Sequence, residues 1–585
     1  MAKGGKGLLV LVLVIVVLGG GLVGAGIFLS GMKAPSVPSK AILEVDLERG
    51  LPETASESPF AVFGGERPLT LRDVVDALEK AGGDPHVVGL VARLGAAPIG
   101  VAEIQEVRDA VKAFRAKKKF AVAYSETFGE FAPGNGAYYL ATAFDEVWLQ
   151  PSGDVCLNGL VAESPFVRSA LDKLGVKPEF GQRYEFKNAM NTFTETKFTD
   201  AHREATSKLV SSLYGQMVRG IAEGRKLTEE EVRALVDRGP FLGPEALEAR
   251  LVDGLAYRDE VLDKLRKKGG ADAKLFGLAA YLKKEGRPHE SGRRTIALVY
   301  GVGGVARGRS SENPVTGGQT MGSETVAKAI RTAVADRDVA AILFRVSSPG
   351  GSYVASDTIW REVVLARKAG KPVIVSMGDV AASGGYFVAI PADKIVAQPG
   401  TITGSIGVLG GKMVTTAMWE KVGLTFDQVE LGANANMWNA SKSFTPAEWE
   451  RFNAWLDRVY TDFTSKVAEG RKLPKERVLE IAKGRVWSGE DAKGLGLVDA
   501  LGGYPVALKL AKEAAKIPAG EAVKVAVYPR EKKPFEALAE KLSGEGEDES
   551  SFTALVKVLE PVRPLLRQVE AERQGVLTAP VPTIR

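Results

Sequence analysis

Arg345-Val-Ser-Ser-Pro-Gly-Gly-Ser352 follows directly on Val339-Ala-Ala-Ile-Leu-Phe344, an apolar run with the length and composition of a buried parallel strand. A glycine pair therefore stands at a strand's C-terminal end, where the backbone can take positive φ and open an N–H into the crevice that binds ligands in α/β sheets. A second strand, Pro372-Val-Ile-Val-Ser376, leads towards Ala381-Ala-Ser-Gly-Gly-Tyr386, and Thr403-Gly-Ser-Ile-Gly407 comes soon after. In the middle motif Ser383 sits just before two glycines and a helix-compatible run. Such a small-residue turn exposes a hydroxyl and aims backbone N–H groups at whatever it attacks. If Ser383 attacks a carbonyl, the amides of Gly351 and Gly384 are the natural donors to the oxyanion. A lone Ser-Gly-Gly is ordinary turn chemistry; the ordered series of three motifs is what points to catalysis.

A serine needs a base, and the chain has three histidines: His86 in a turn, His202 in a polar helical stretch and His289 in a charged linker. All three read as surface residues. A lysine can serve if it stays neutral, but lowering it from about 10.4 to near 7 costs roughly 4 to 5 kcal/mol, so it must be buried or lie near other cations. Composition does not choose among the lysines.

An internal repeat narrows the search. Residues 138–151 align without gaps on 386–399, each starting at a tyrosine (Tyr138, Tyr386) and ending in Gln-Pro, and Leu251-Val-Asp-Gly254 echoes Leu497-Val-Asp-Ala500. The chain thus holds two copies of one α/β unit. Asn135 takes the place of Ser383 in the first copy, and Ala96-Ala-Pro-Ile-Gly100 takes the place of the Ser-Pro-Gly-Gly element. The first copy cannot perform acyl chemistry alone.

The three motifs resemble those of the ClpP/crotonase superfamily and, within it, the signal peptide peptidases of the SppA type; the resemblance covers nearly the whole chain after its N-terminal apolar segment. It implies two tandem ClpP/crotonase-like repeats. It also implies that Gly181-Gln-Arg-Tyr-Glu-Phe-Lys-Asn-Ala189 carries the general base at Lys187, although Glu185 and Phe186 intervene where the family pattern runs from tyrosine straight to lysine. The matching stretch of the second copy, Gly432-Ala-Asn-Ala-Asn-Met437, has no lysine, so one half would supply the serine and the other the base. Ser405 matches a family hydroxyl that orients the lysine. Lys197 and Lys442 fall at equivalent places in both copies and read as surface or structural. The resemblance further implies remnant signal peptides and other short membrane-derived peptides as substrates, and a homo-oligomer, with a tetramer expected.

Met1, Lys3 and Lys6 precede an uncharged apolar run, Leu8 to Leu29, whose 22 residues can cross a hydrocarbon core of about 30 Å. The run reads as an uncleaved single-pass anchor rather than a signal peptide, with its lysine-bearing end in the cytoplasm and the bulk of the chain outside a bacterial inner membrane. The expected organisation is an anchor over 1–32, a first repeat over 33–265, a linker over 266–294, a catalytic repeat over 295–530 and a charged helical tail over 531–585. A net charge of +5 with no basic stripe implies no nucleic-acid partner. The single Cys156 excludes an intrachain disulfide, and no zinc motif is present. No metal or cofactor is expected, since Gly301-Val-Gly-Gly304 has the wrong glycine order for a dinucleotide fingerprint. The expected function is a membrane-anchored serine endopeptidase. The alternatives are a catalytically inactive membrane scaffold with a degenerate protease fold and, with less support, a crotonase-type acyl-CoA enzyme, which would need acidic catalytic groups.

Overall fold

The structure, a computed structural model, describes residues 36–55, 68–95, 99–270, 272–313 and 318–529, together with the short strands Leu577–Thr578 and Thr583–Ile584. The expected anchor lies outside the described residues. Among those that are described, no helix is long and apolar enough to cross a membrane.

The first unit is a six-stranded parallel sheet. Its strands are β1 (Ala41–Asp46), β2 (Val87–Arg93), β3 (Phe120–Ser125), β4 (Glu146–Leu149), β6 (Gly254–Leu255) and β7 (Lys274–Gly277), in the order β7-β1-β2-β3-β4-β6, while β5 (Lys177–Arg183) stands apart. The helices that matter here are α1 (Val101–Ala116), α2 (Asn135–Ala141) and α3 (Asp200–Arg225). The second unit repeats the plan with β8 (Arg294–Val302), β9 (Val339–Ser348), β10 (Gly350–Gly351), β11 (Val373–Ala382), β12 (Lys394–Ala397), β13 (Ile402–Gly404), β14 (Val408–Val414), β15 (Val486–Ser488) and β16 (Val523–Tyr528). Its main sheet runs β15-β13-β11-β9-β8-β16, with β12 also paired to β11. Helices α4 (Tyr353–Lys368), α5 (Gly384–Ala389) and α6 (Pro446–Arg471) match α1, α2 and α3, and α3 and α6 each have 26 residues.

The repeated motifs build the same clasp twice. Tyr138 donates its hydroxyl proton to Leu251 O at 2.7 Å, and Tyr386 donates to Leu497 O at 2.9 Å. The aspartate two residues on, Asp253 or Asp499, accepts from the N–H of Val147 or Ile395 and from the arginine that ends the long helix, Arg225 or Arg471. Each clasp ties the helix after the nucleophile-position turn to the far edge of its sheet, and satisfies polar groups that burial would otherwise leave unpaired.

Both faces of the second sheet are buried. Ala297, Val299, Ile342 and Phe344 pack in one core, while Ile296, Leu298, Ala341 and Leu343 join a core shared with the first unit and with the helix Tyr504–Ala514. Alternating strand residues thus feed two cores, as expected of a parallel sheet covered on both sides. Two expectations need correction. The stretch 266–294 is more than a linker, because Lys274–Gly277 pairs parallel with β1 as an edge strand and Leu278–Glu285 is a helix. The expected helical tail contains Leu577–Thr578, antiparallel to β10, and Thr583–Ile584, antiparallel to Ala162–Glu163; its residues 531–576 lie outside those described.

Candidate active site

Strand β11 ends at Ala382 and helix α5 begins at Gly384, so Ser383 is the single residue of a strand-to-helix turn. Its backbone sits at φ 54° and ψ −116°, a region that costs a non-glycine residue about 1–3 kcal/mol and persists only where the surroundings over-determine it. The N–H of Ser383 donates to Gly404 O at 2.8 Å, and its carbonyl accepts from Phe387 N–H at 2.8 Å. Ser405, one residue after β13, also has positive φ (51°) and is fully buried.

Lys187 reaches this turn from the other unit. β5 pairs antiparallel with β14, from Val408 against Arg183 to Val414 against Lys177, and so binds a first-unit strand to the second unit. The chain then turns tightly, with Lys187 N–H donating to Tyr184 O at 3.0 Å. That turn absorbs the two extra residues, Glu185 and Phe186. Lys187 Nζ lies 2.7 Å from Ser383 Oγ, 2.9 Å from Ser405 O and 3.0 Å from Ser405 Oγ. The side chain is 0% exposed, and burial with no carboxylate partner among the described residues pushes its amine well below the ordinary 10.5.

The glycine pair closes the other side. Gly350 and Gly351 have φ of 105° and 153°, and a Cβ on Gly351 would fall 2.2 Å from Val305 O. A Cβ on Gly384 would meet Gly351 N at 3.0 Å and Ser356 Oγ at 2.7 Å, so the two glycines are packed against each other with no space for side chains. Ser383, Lys187, Ser405, Gly351 and Gly384 are therefore brought together. The loop Lys483-Gly484-Arg485, which sequence reasoning did not single out, is there too.

The equivalent place in the first unit is filled. Asn135 Oδ1 accepts from the N–H groups of Asn158 and Gly159 at 3.1 and 3.2 Å, and its Nδ2 donates to Gly159 O at 2.9 Å and Asn158 Oδ1 at 3.2 Å. The side chain is consumed in welding its own turn. The histidines are elsewhere engaged: His86 with Asp84 and His289 with Glu79. His202, expected at the surface, is instead buried against Phe166 and Phe198, and burial lowers it to about 4. Among the described residues no cluster of His, Cys, Asp and Glu could hold a metal ion.

A serine on a strand-to-helix turn beside a glycine pair, carried by an α/β unit built twice, is the arrangement of a serine protease. Comparison with known proteins gives the same class: the model of Peptidase family S49 matches residues 113–272 and 365–518, one stretch in each unit. The chain belongs to that family, in its long, SppA-like two-repeat form. Serine protease SPPA, chloroplastic, of Arabidopsis thaliana is 30% identical over 516 residues, 87% of this chain and 75% of that one. Protease 4 of Salmonella typhi is 33% identical over 460 residues, 77% of this chain and 72% of that one. Among solved structures, ClpP1 from Listeria monocytogenes is 16% identical, covering 36% of this chain and 92% of its own, at a TM-score of 0.21 that supports no conclusion.

Proposed function

We propose that the chain is a membrane-anchored serine endopeptidase that uses a Ser383/Lys187 dyad to degrade cleaved signal peptides and other short membrane-derived peptides. The observation that carries the reading is the 2.7 Å contact between a fully buried amine and the hydroxyl. A neutral lysine has two N–H donors and one lone pair. Ser405 O can only accept, and Ser405 Oγ, which donates to Gly484 O at 3.4 Å, is left accepting from Nζ. Both N–H groups are thereby used and the lone pair is left facing Ser383 Oγ. Lys187 takes the serine proton as Oγ bonds to the scissile carbonyl carbon, then returns it to the leaving amine; water, deprotonated by the same lysine, releases the acyl group. The amides of Gly351 and Gly384 receive the oxyanion. The antiparallel pairing of Leu577–Thr578 with β10 supports an extended peptide as substrate, since the backbone beside the serine already accommodates such a strand.

The test is hydrolysis of a fluorogenic leucine-rich peptide by the full-length protein in detergent. Ser383→Ala and Lys187→Ala should each lose at least about a thousand-fold in kcat while remaining folded. Retained activity in Lys187→Ala would put the base elsewhere, and a wild type inert towards varied peptides would favour the scaffold.

The reading includes a homo-oligomer, with four chains expected. With Gly181 matched to Gly432 the counterpart of β5 is 428–434, and at the 248-residue spacing from Tyr138 to Tyr386 that of β14 is 160–166. The former exposes Val429 at 94% and Leu431 at 90%, and the latter exposes Val161 at 60%. Pairing of these stretches between chains would repeat the β5–β14 contact head to tail and close a ring. Light scattering should give the mass of four chains, and a single-chain mass would remove this part of the reading.

A further inference from the structure

We infer that Gly484, in the loop between the helix Lys475–Ile481 and β15, is a positioning residue for Lys187: it sets both where the lysine's backbone rests and which way the hydroxyl of Ser405 points. The inference rests on the dyad reading above and concerns a residue more than a hundred positions from either dyad member in the sequence.

Three sets of contacts converge on this loop. Lys483 O accepts the N–H groups of Tyr184 and Phe186 at 3.3 and 3.2 Å, which anchors the turn that presents Lys187. Gly484 N–H donates to Ile406 O at 2.8 Å and Arg485 O accepts from Ser405 N–H at 2.7 Å, which anchors the residues around Ser405. Gly484 itself lies between the two. Its φ is 83°, and a Cβ there would fall 2.5 Å from Lys187 Cβ and 2.6 Å from the lysine's Cα and N. Those atoms cannot yield as the tip of a flexible side chain could, so a methyl group must displace the stem of the lysine. The Gly484 carbonyl also takes the proton of Ser405 Oγ at 3.4 Å, which leaves that oxygen able to accept from Nζ. One glycine thus fixes the position of the amine and the direction of its lone pair. The strand register that aligns Phe241 with Trp487 puts Arg238 at the equivalent position of the first unit, where no lysine docks and a side chain is present.

The test uses full-length Gly484→Ala beside Gly370→Ala, a glycine with φ of 78° and nothing within 4 Å of its would-be Cβ. The control carries the backbone strain without the lysine contact. Gly484→Ala should lose about a hundred-fold in kcat with KM little changed, as expected of a displacement near 1 Å at a reacting group. The acidic limb of its rate of labelling by a fluorophosphonate should move to higher pH, because a lysine shifted out of its pocket is rehydrated. Gly370→Ala should show neither change. In the Lys187→Ala background Gly484→Ala should cost nothing further, since a residue that acts only through the lysine has nothing left to position. Should Gly484→Ala fail to fold, Ser405→Ala reads the hydroxyl half of the inference, and an unmoved labelling limb in that variant would overturn it. An unchanged kcat and limb in folded Gly484→Ala, with Lys187→Ala inactive, would refute the role of Gly484 and leave the dyad standing. Full activity in Lys187→Ala would instead remove the dyad and the inference together.

Discussion

A buried lysine with no anionic partner among the described residues is costly to keep, and the sign of that cost can be tested at the single residue. The folded value of Lys187 lies below its unfolded 10.5, so near neutral pH the unfolded chain binds a proton that the folded pocket disfavours. Wild-type stability should therefore rise as pH climbs from the depressed value towards 10.5. Lys187→Met removes the linkage; its melting temperature relative to wild type should fall steadily between about pH 7 and about pH 10, with peptidase activity absent throughout. A difference independent of pH would mean that the lysine stays charged in the fold. The turn at Ser383 and the glycines Gly351 and Gly384 beside it were legible in the sequence, because glycines and serines at strand ends leave a local signature. Lys187 and the orienting role of Ser405 were reachable only through a resemblance, and Gly484 through neither. Its importance comes from a contact with Lys187 made across two units, and a glycine after a short helix looks the same whether it ends the helix or clears space for a neighbour.

Elements explain why the repeat was so readable. Residues 138–151 and 386–399 align without gaps because each carries half of a clasp whose other half is Leu-Val-Asp about a hundred residues later. Removing one hydroxyl from a buried tyrosine whose carbonyl partner stays buried costs about 1–2 kcal/mol. Tyr386→Phe and Tyr138→Phe should each lower stability by that amount in denaturant melts, and the double variant should lose the sum, because the two clasps share no partner. A sub-additive double variant would show that the clasps are coupled. The strand Lys274–Gly277 was missed for the opposite reason. Four residues in charged surroundings give no usable period, and its place is set by pairing with β1, more than two hundred residues earlier.

At the scale of the whole molecule, the two units meet over buried charge. The Arg345 guanidinium reaches Glu53 at 2.6 Å and Glu106 at 2.9 Å, while the N–H of Ala102 at the start of α1 holds Asp379 at 3.0 Å and that of Gly100 holds Glu103 at 3.0 Å. Carboxylates outnumber the arginine. Burial first, and then the charge of Asp379, pushes Glu103 up to about 8, and burial raises Asp379 to about 6. Because the folded value of Glu103 exceeds its unfolded 4.5, stability present below that pH is lost as pH rises through about 8. Glu103→Gln keeps an acceptor for Gly100 and removes the titration. It should be more stable than wild type by roughly 1–2 kcal/mol near pH 9 and gain nothing near pH 4. Equal gains at both pH values would show that the effect is packing rather than charge. None of this cluster was legible in the sequence, since its members come from four separate segments and only the fold assembles them.

The hydrogen bond between Lys187 and Ser383 spans 196 positions of sequence, and the loop that cradles the lysine begins about a hundred positions after the serine. During synthesis Lys187 leaves the ribosome well before Ser383, and Ser383 before Gly484. On the proposed dyad, the growing chain would gain peptidase activity only after almost all of it has emerged and the halves have docked, a delay built into the order of its residues.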